Sequence, residues 1–330
     1  MLRRIAVRLA SLVGVLLLLT VIVFLIQQTL PSDPVKSFYG RNTSPEVLAE
    51  KREEIGLDDP IVEQYTRFME RLVQGDLGTS LRTRQPVRSD IGSFLPATIE
   101  LAAAAAVVAV VFGGLIGILG SRPGRGSSAM RSSSIALAAV PTFLAGILGI
   151  LVFYRWLGWL PAGQRSSEVS ASAPTGFLMI DTILGGDPRG LGDAALHLIM
   201  PAIALGIGPA VAIGRTLRAS LRETYSEEYI RTARAKGVAE STVIRRHALR
   251  NAVNPALAMA GLQLGLVLAG AVVVEVVFSW PGIGLYLSQG IASSDFPAVI
   301  GVVFVLGIMY VLVNAAVDTV QLLIDPRLRA

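Results

Sequence analysis

A chain of 330 residues with 52% hydrophobic and only 16% charged side chains falls well short of the charge of an ordinary soluble domain, where about a quarter of residues are charged. The absence of cysteine excludes disulfides and thiolate metal centres. The formal net charge of +5 would suit a nucleic-acid partner, but the apolar residues come in long blocks and the charges are sorted between the segments that separate them, which points to a membrane instead.

Crossing the hydrocarbon layer takes about 20 apolar residues. Six stretches are read as spans, at roughly 5–26, 95–119, 135–154, 196–213, 255–278 and 298–324. The first follows Arg3 and Arg4 and includes Arg8, as a signal peptide might. It is too long for that role, and Gln27-Gln28-Thr29 offers no small-x-small cleavage site, so a retained helix is expected. Next comes a polar segment with two helix signals. Ser44-Pro45-Glu46 provides a cap, a first-turn proline and a first-turn acid, with Gly56 as the stop. Asp59-Pro60 opens a second helix, on which Ile61, Tyr65, Phe68, Met69 and Leu72 recur at helical spacing up to Gly75. This segment either lies on the bundle or the lipid surface, or serves as a docking platform for an external protein.

The loop between the second and third spans carries Arg122, Arg125 and Arg131 without an acid. The fourth span is short and holds Pro201 and Pro209. Between it and the fifth, residues 215–254 form the largest segment of the arginine-rich side. Ser226 is expected to cap a helix with Glu227 and Glu228 in its first turn, Arg231, Arg234 and Lys236 in its last, and Gly237 at the left-handed stop. Tyr229 or Ile230, Ala233 and Gly237 make a small apolar face, on which Ala233 and Gly237 are one turn apart. Ser241 starts a second helix bearing Arg245, Arg246, His247 and Arg250, which runs to Pro255. Two short helices without a core of their own need a partner surface or the end of the bundle.

Lysine and arginine set the orientation. With both termini inside, the inner segments carry a net +12 and the outer ones −4. Three acids fall within spans: Glu100 and Glu275 near the outer ends, Asp318 nearer the inner end. An acid in a span is costly. Glu100 and Glu275 therefore either line the mouth of a wet pathway or cap helices near the headgroups. Glu275, Phe278, Trp280 and Pro281 mark a break at the end of the fifth span, where such a pathway would open. Gly113-x-x-x-Gly117 and Gly261-x-x-x-Gly265 allow close helix approach. There is no phosphate loop, no His-Glu-x-x-His and no Gly-x-Ser-x-Gly. The two histidines, His197 and His247, have no evident carboxylate partner, which leaves nothing for catalysis.

The run Tyr229-Ile-Arg-Thr-Ala-Arg-Ala-Lys-Gly237, followed by Arg246-His-Ala-Leu-Arg-Asn-Ala-Val-Asn-Pro255, resembles the cytoplasmic signature of ATP-binding-cassette importer permeases, and within them the dipeptide/oligopeptide/nickel branch. Arg231, Thr232 and Ala233 stand where the general signature has Glu-Ala-Ala. Gly237 keeps the glycine, and His247, Leu249 and Arg250 fall on the closing positions. Leu30-Pro-Ser-Asp-Pro-Val35, Gly56-Leu-Asp-Asp-Pro-Ile61, Gly75-Asp-Leu-Gly-Thr-Ser80, Leu95-Pro-Ala-Thr-Ile-Glu100, Glu275-Val-Val-Phe-Ser-Trp-Pro-Gly-Ile-Gly284, Val317-Asp-Thr-Val and Asp325-Pro-Arg-Leu-Arg329 follow in the family's order.

The resemblance implies an all-α integral membrane protein with the six-helix type I importer fold. Its parts would be a first helix over 1–30, an extracytoplasmic helical segment over 31–93, and a five-helix core over 94–330 containing the coupling segment. It implies the first of two permease subunits of a peptide importer in a bacterial cytoplasmic membrane, without enzymatic activity or a cofactor of its own. The partners would be a second permease, two ATPases that bind ATP and magnesium, and an extracytoplasmic binding protein. Glu228, Tyr229, Ile230, Arg231, Ala233, Arg234, Gly237 and Val238 would couple to the ATPase, and Glu100, Glu275, Phe278, Trp280 and Pro281 would form the outer pathway. Import of another small solute (a nickel chelate, glutathione or heme) stays open. A self-contained secondary transporter would need intramembrane ion-coupling groups, and no convincing internal repeat is visible. A membrane enzyme would need a nucleophile–base set.

Overall fold

In a computed structural model of the chain, the described residues are 2–29, 44–55, 58–121, 130, 132–134, 136–137, 139–167 and 174–324. Gly56, Arg122, Arg125 and Arg131 of the arginine loop, the motif pieces at 30–35 and 325–329, and the side chain of Asp318 lie outside this description. Among the described residues the regular structure is helical, with one isolated bridge between Thr79 and Pro86.

The helices are α1 (Leu2–Thr29), α2 (Pro45–Ile55), α3 (Ile61–Val73), α4 (Val87–Ser121), α5 (Thr142–Trp156), α6 (Leu178–Leu184), α7 (Pro188–Ser226), α8 (Glu228–Ala235), α9 (Glu240–Val277), α10 (Ile283–Ala292) and α11 (Phe296–Ile324). Four of them, α4, α7, α9 and α11, are long and apolar enough to cross a membrane. The 28 residues of α1 give about 42 Å of helix, also enough. The third expected span is shorter. The helix breaks at Val140-Pro141 and resumes at Thr142, because a proline pushes the residue before it out of helical geometry. Its last seven residues, Ile150–Trp156, are wound as a π-helix.

The largest departure is α7. Its 39 residues run well past Ile213, the expected end of the fourth span, and Pro201 and Pro209 sit inside it. Leu217, Leu221 and Thr224 are buried at helical spacing, so the charged continuation is an amphipathic extension of the span.

The chain divides into two compact units. The first joins residues 1–95 to 282–311. Its core is Val87, Ile91, Ile283, Tyr286, Ala298 and Val302. In this unit α3 lies against α1. The Tyr65 ring meets Phe24 edge-on at 5.3 Å, Phe68 meets it at 5.8 Å, and the hydroxyls of Tyr65 and Thr20 are 2.8 Å apart. Gly75 ends α3 with φ 76°, and the bonds from Gly75 N to Leu72 O and from Asp76 N to Arg71 O close a Schellman cap.

The second unit joins residues 96–281 to 312–330 and is built around α7. Glycine notches seat it against α4. A β-carbon on Gly117 would lie 2.7 Å from Leu217 Cβ, and one on Gly206 would lie 2.7 Å from the carbonyl oxygen of Ala105. Gly117→Leu is therefore expected to force the two helices apart at a cost of about 1–3 kcal/mol. Gly114→Leu is the matched control, since a β-carbon there meets nothing within 4 Å. Thermal unfolding of the two variants in detergent decides it; equal midpoints would refute the notch.

Candidate functional site

Two places in the second unit collect the residues singled out from the sequence. The first is α8. Its expected cap is absent: Ser226 closes α7 and its hydroxyl donates to Glu223 O, so α8 begins at Glu228 behind Glu227. Its end is as expected. Gly237 has φ 74°, and bonds from Gly237 N to Arg234 O and from Val238 N to Ala233 O form a second Schellman cap.

The packing of α8 reverses one expectation. Ile230 is fully buried and Ala233 is 9% exposed, in a cluster with Leu217 and Leu221 of α7 and Val243, Ala248 and Ala252 of α9. The small apolar face thus turns onto the chain's own bundle, and the two short helices do have a core, supplied by the α7 extension. Gly237 lies beyond the helix and shares no side with Ala233. Polar ties hold both flanks: Asn251 Nδ2 donates to Tyr229 Oη at 2.8 Å, and Arg234 donates to both oxygens of Glu240 at 2.7 and 3.1 Å while lying over the Tyr225 ring. The ridge of Glu228, Arg231, Thr232 and Ala235 faces outward and is exposed, with the tied but also exposed Tyr229 and Arg234 on its flanks. Ala235 was not singled out in the sequence; its i, i+4 relation to Arg231 would have placed it on this face.

The second place is the end of α9. After Val277 the chain turns through Ser279 at φ 49°, a left-handed conformation that a serine rarely adopts. Ser279 N bonds to Val276 O, and Trp280 N to Glu275 O at 2.8 Å. Trp280 folds back, 1% exposed, and its indole N–H donates to Ala97 O of α4 at 2.9 Å. Beside it the fully buried Glu275 carboxylate accepts from Thr98 Oγ1 at 2.6 Å. Phe278 is buried, with its carbonyl taking the N–H of Gln164 at 2.7 Å. Gly163 is required there, because a β-carbon would fall 2.2 Å from that oxygen. Pro281 is half-buried at the edge of this knot.

Glu100 stands apart from Glu275. It accepts both Nε and Nη2 of Arg165, and Met179 N donates to it at 2.8 Å at the start of α6. It therefore anchors the loop after α5 and the first turn of α6 to α4. Both side chains of the pair are largely buried, at 9% and 15% exposure. Arg165→Ala leaves a carboxylate without its counter-ion, and a loss of about 2–4 kcal/mol is expected, toward the lower end because the pair is not fully buried. Glu100→Gln combined with Arg165→Ala should recover part of it. The check is the unfolding midpoint of the three variants; a double variant no better than Arg165→Ala would count against the ion pair.

His197 does have a carboxylate neighbour, Asp193, one turn earlier on α7, which its i, i+4 spacing already offered. Its Nδ1 is 2.9 Å from Asp193 O and 3.5 Å from Asp193 Oδ1. The Asp193 carboxylate accepts from the Ser166 hydroxyl and from the N–H and hydroxyl of Ser167. The carboxylate is spent on the loop, and no group of three or more metal-ligating side chains occurs among the described residues.

The family model described as the binding-protein-dependent transport system inner membrane component matches residues 109–330. The chain belongs to this family. The model for the N-terminal part of such components matches residues 1–102. The permease is 40% identical over 334 residues to the di/tripeptide transport system permease protein DppB of Pseudomonas aeruginosa, covering all of this chain and 99% of the relative. It is 36% identical over 337 residues to the dipeptide transport system permease protein DppB of Escherichia coli, with 99% and 98% covered. The glutathione transport system permease protein GsiC of Escherichia coli is 35% identical over 334 residues, with 100% and 99% covered. Among solved structures, the inward-facing MetNI methionine ABC transporter matches with a TM-score of 0.53 at 16% identity, over 69% of this permease and 93% of that chain. That likeness shows the type I importer fold. The chain is a permease subunit of an ATP-binding-cassette importer, and both of the places described above lie mainly within the part matched by the main family model.

Proposed function

We propose that this permease conducts short peptides across a bacterial cytoplasmic membrane, together with a second permease, two ATPase subunits and an extracytoplasmic binding protein, and that it takes up ATP-driven motion through α8. The mounting of α8 is the observation that supports the coupling reading. A helix of eight residues, capped by a Schellman turn, seated on Ile230 and Ala233 and tied on both flanks, transmits a push on its free ridge to α7 and α9 without bending. The ridge of Glu228, Arg231, Thr232 and Ala235 is then the ATPase-facing surface, with Tyr229, Ile230, Ala233, Arg234, Gly237 and Val238 as its mount. Glu275, Phe278, Trp280 and Pro281 form the outer closure of the pathway, with Glu100 as a brace. Residues 1–30, 31–93 and 94–330 act as first helix, outer segment and core. Peptides are favoured by the names of the dipeptide relatives, and glutathione, itself a tripeptide, is the second reading favoured by the glutathione relative. Uptake of radiolabelled dipeptide and glutathione in cells lacking only this gene decides between them; undiminished uptake of both would refute the peptide assignment.

The orientation rests on the charge split of +12 against −4. A reporter fused after Ala330 is expected in the cytoplasm and a tag inserted at Thr83 outside. Protease protection in spheroplasts reads both, and the opposite result at the two points would overturn the topology.

A further inference from the structure

Residues 163–167, between α5 and α6, are tied one after another to three different helices of the second unit. Gly163 packs on the Phe278 carbonyl at the end of α9, and Gln164 N donates to that oxygen at 2.7 Å. Arg165 pairs with Glu100 of α4. The Ser166 hydroxyl donates to Asp193 Oδ2 of α7 at 2.8 Å. Ser167 donates its N–H to the same oxygen at 2.7 Å and its hydroxyl to Oδ1 at 2.8 Å. Five residues outside any helix thus strap α4, α7 and α9 together. Strain marks one of the three ties. Gln164 has φ 64°, and Ser279, next to Phe278, has φ 49°. Non-glycine residues rarely adopt this region and keep it only where the surroundings over-determine it, as at clamps and switches. Here two of them flank a single hydrogen bond, from Gln164 to Phe278. That bond is neutral, backbone to backbone, whereas the ties to α4 and α7 end on carboxylates and are the stronger kind. The strap is therefore held firmly on α4 and α7, and its strained hold on α9 is the first to give.

We propose that Asp193 is a positioning residue of the outer closure: it fixes the strap whose Gln164 N–H holds Phe278 in place, and the pathway opens by release of that one bond, with α4, α7 and α9 intact. This rests on the outer pathway and the orientation proposed above. Glu100 serves two masters, since it also takes Met179 N at the start of α6. The Asp193 carboxylate takes three hydrogen bonds from the strap, so changing it slackens the strap without touching Phe278, Trp280 or Glu275. The strap also bears on the ATPases. A pathway open at both ends would leak, so the outer closure must loosen when the ATPases engage and tighten when they release. By linkage, a slack strap moves the resting complex toward the hydrolysing arrangement.

The chain has no cysteine, so Val274→Cys, at a position 1% exposed in the cluster with Phe278 and Trp280, reports on the closure by itself. The assembled importer is labelled in intact cells with an impermeant maleimide, read on this chain alone. Adding Asp193→Ala should raise the labelling rate at least about tenfold, as loss of a single hydrogen bond to a charged acceptor does. Resting ATP hydrolysis by the same complex in nanodiscs should rise about fivefold or more. Asp193→Asn keeps an acceptor for Ser166 and Ser167 and should stay near wild type in both assays. Equal labelling in all three overturns the proposal. So does a rise that Asp193→Asn shares, or one with resting hydrolysis unchanged, either of which makes Asp193 a fixture of the fold. Arg189→Cys, exposed at the start of α7, tests the orientation separately. If the reagent does not reach it from outside, the orientation fails and the strap with it. If it is labelled while Asp193→Ala leaves Val274→Cys protected, the strap alone fails.

Discussion

Ala235→Trp is expected to lower substrate-stimulated ATP hydrolysis by the assembled importer at least about tenfold, equivalent to ~1.4 kcal/mol or more of lost coupling. Ala235 is the small residue of the outward ridge, one turn from Arg231 and close to the helix end. A large side chain where the surface presents only a methyl group holds the partner off the ridge. The matched variant is Ile230→Ala. Ile230 is fully buried beneath the helix, so its truncation should cost about 2–5 kcal/mol of stability and loosen the mount, while the ATPases still bind the outward ridge of the protein that does fold. Co-purification of the ATPases and stimulated hydrolysis per assembled complex separate the two effects. If Ile230→Ala releases the ATPases and Ala235→Trp does not, the inward face is the docking face and the outward ridge is not.

Glu275→Ala is expected to reduce uptake about tenfold or more, with the amount of permease in the membrane falling far less. The carboxylate is fully buried and takes the Thr98 hydroxyl, next to the place where Trp280 closes on Ala97. Together these hold the end of α9 against α4. Taking the Glu275 acceptor away from the buried Thr98 hydroxyl costs about 1–3 kcal/mol, so the removal loosens the knot without unfolding the helices it joins. Glu275→Gln keeps the shape and one acceptor oxygen and should retain more uptake than Ala. Uptake that tracks membrane abundance in both variants would reduce Glu275 to a fixture of the fold.

Much of the architecture was legible because each signal was local. Gly75 and Gly237 were readable as helix stops, since a Schellman cap requires a left-handed residue at one position and glycine adopts it without a steric penalty. The start of α2 after Ser44 followed from Pro45 and Glu46. The spans showed in their apolar runs, and the family in the order of its motif pieces. The errors were of a different kind. Ser226 had the right chemistry for a cap, but α7 continued through it because Leu217 and Leu221 had a surface to bury against. Pro201 and Pro209 read as weakness in the fourth span, yet they lie inside its longest helix, where packing and the membrane environment tolerate them.

By itself the sequence determined the order of the apolar runs, the charge asymmetry, where two of the helices must stop and which family the chain enters. These depend on residues near one another in the chain, or on composition. Only the tertiary structure decided which face of α8 is free, because Ile230 and Ala233 could be buried by a partner or by α7 and α9, and periodicity cannot tell the two apart. It alone showed that Glu100 braces Arg165 and Met179 while Glu275 meets Thr98, since the partners are 65, 79 and 177 residues away. The same holds for Asp295, which reaches Ser80 across 215 residues. A carboxylate announces its cost in the sequence, but which donors satisfy it depends on how distant segments are brought together.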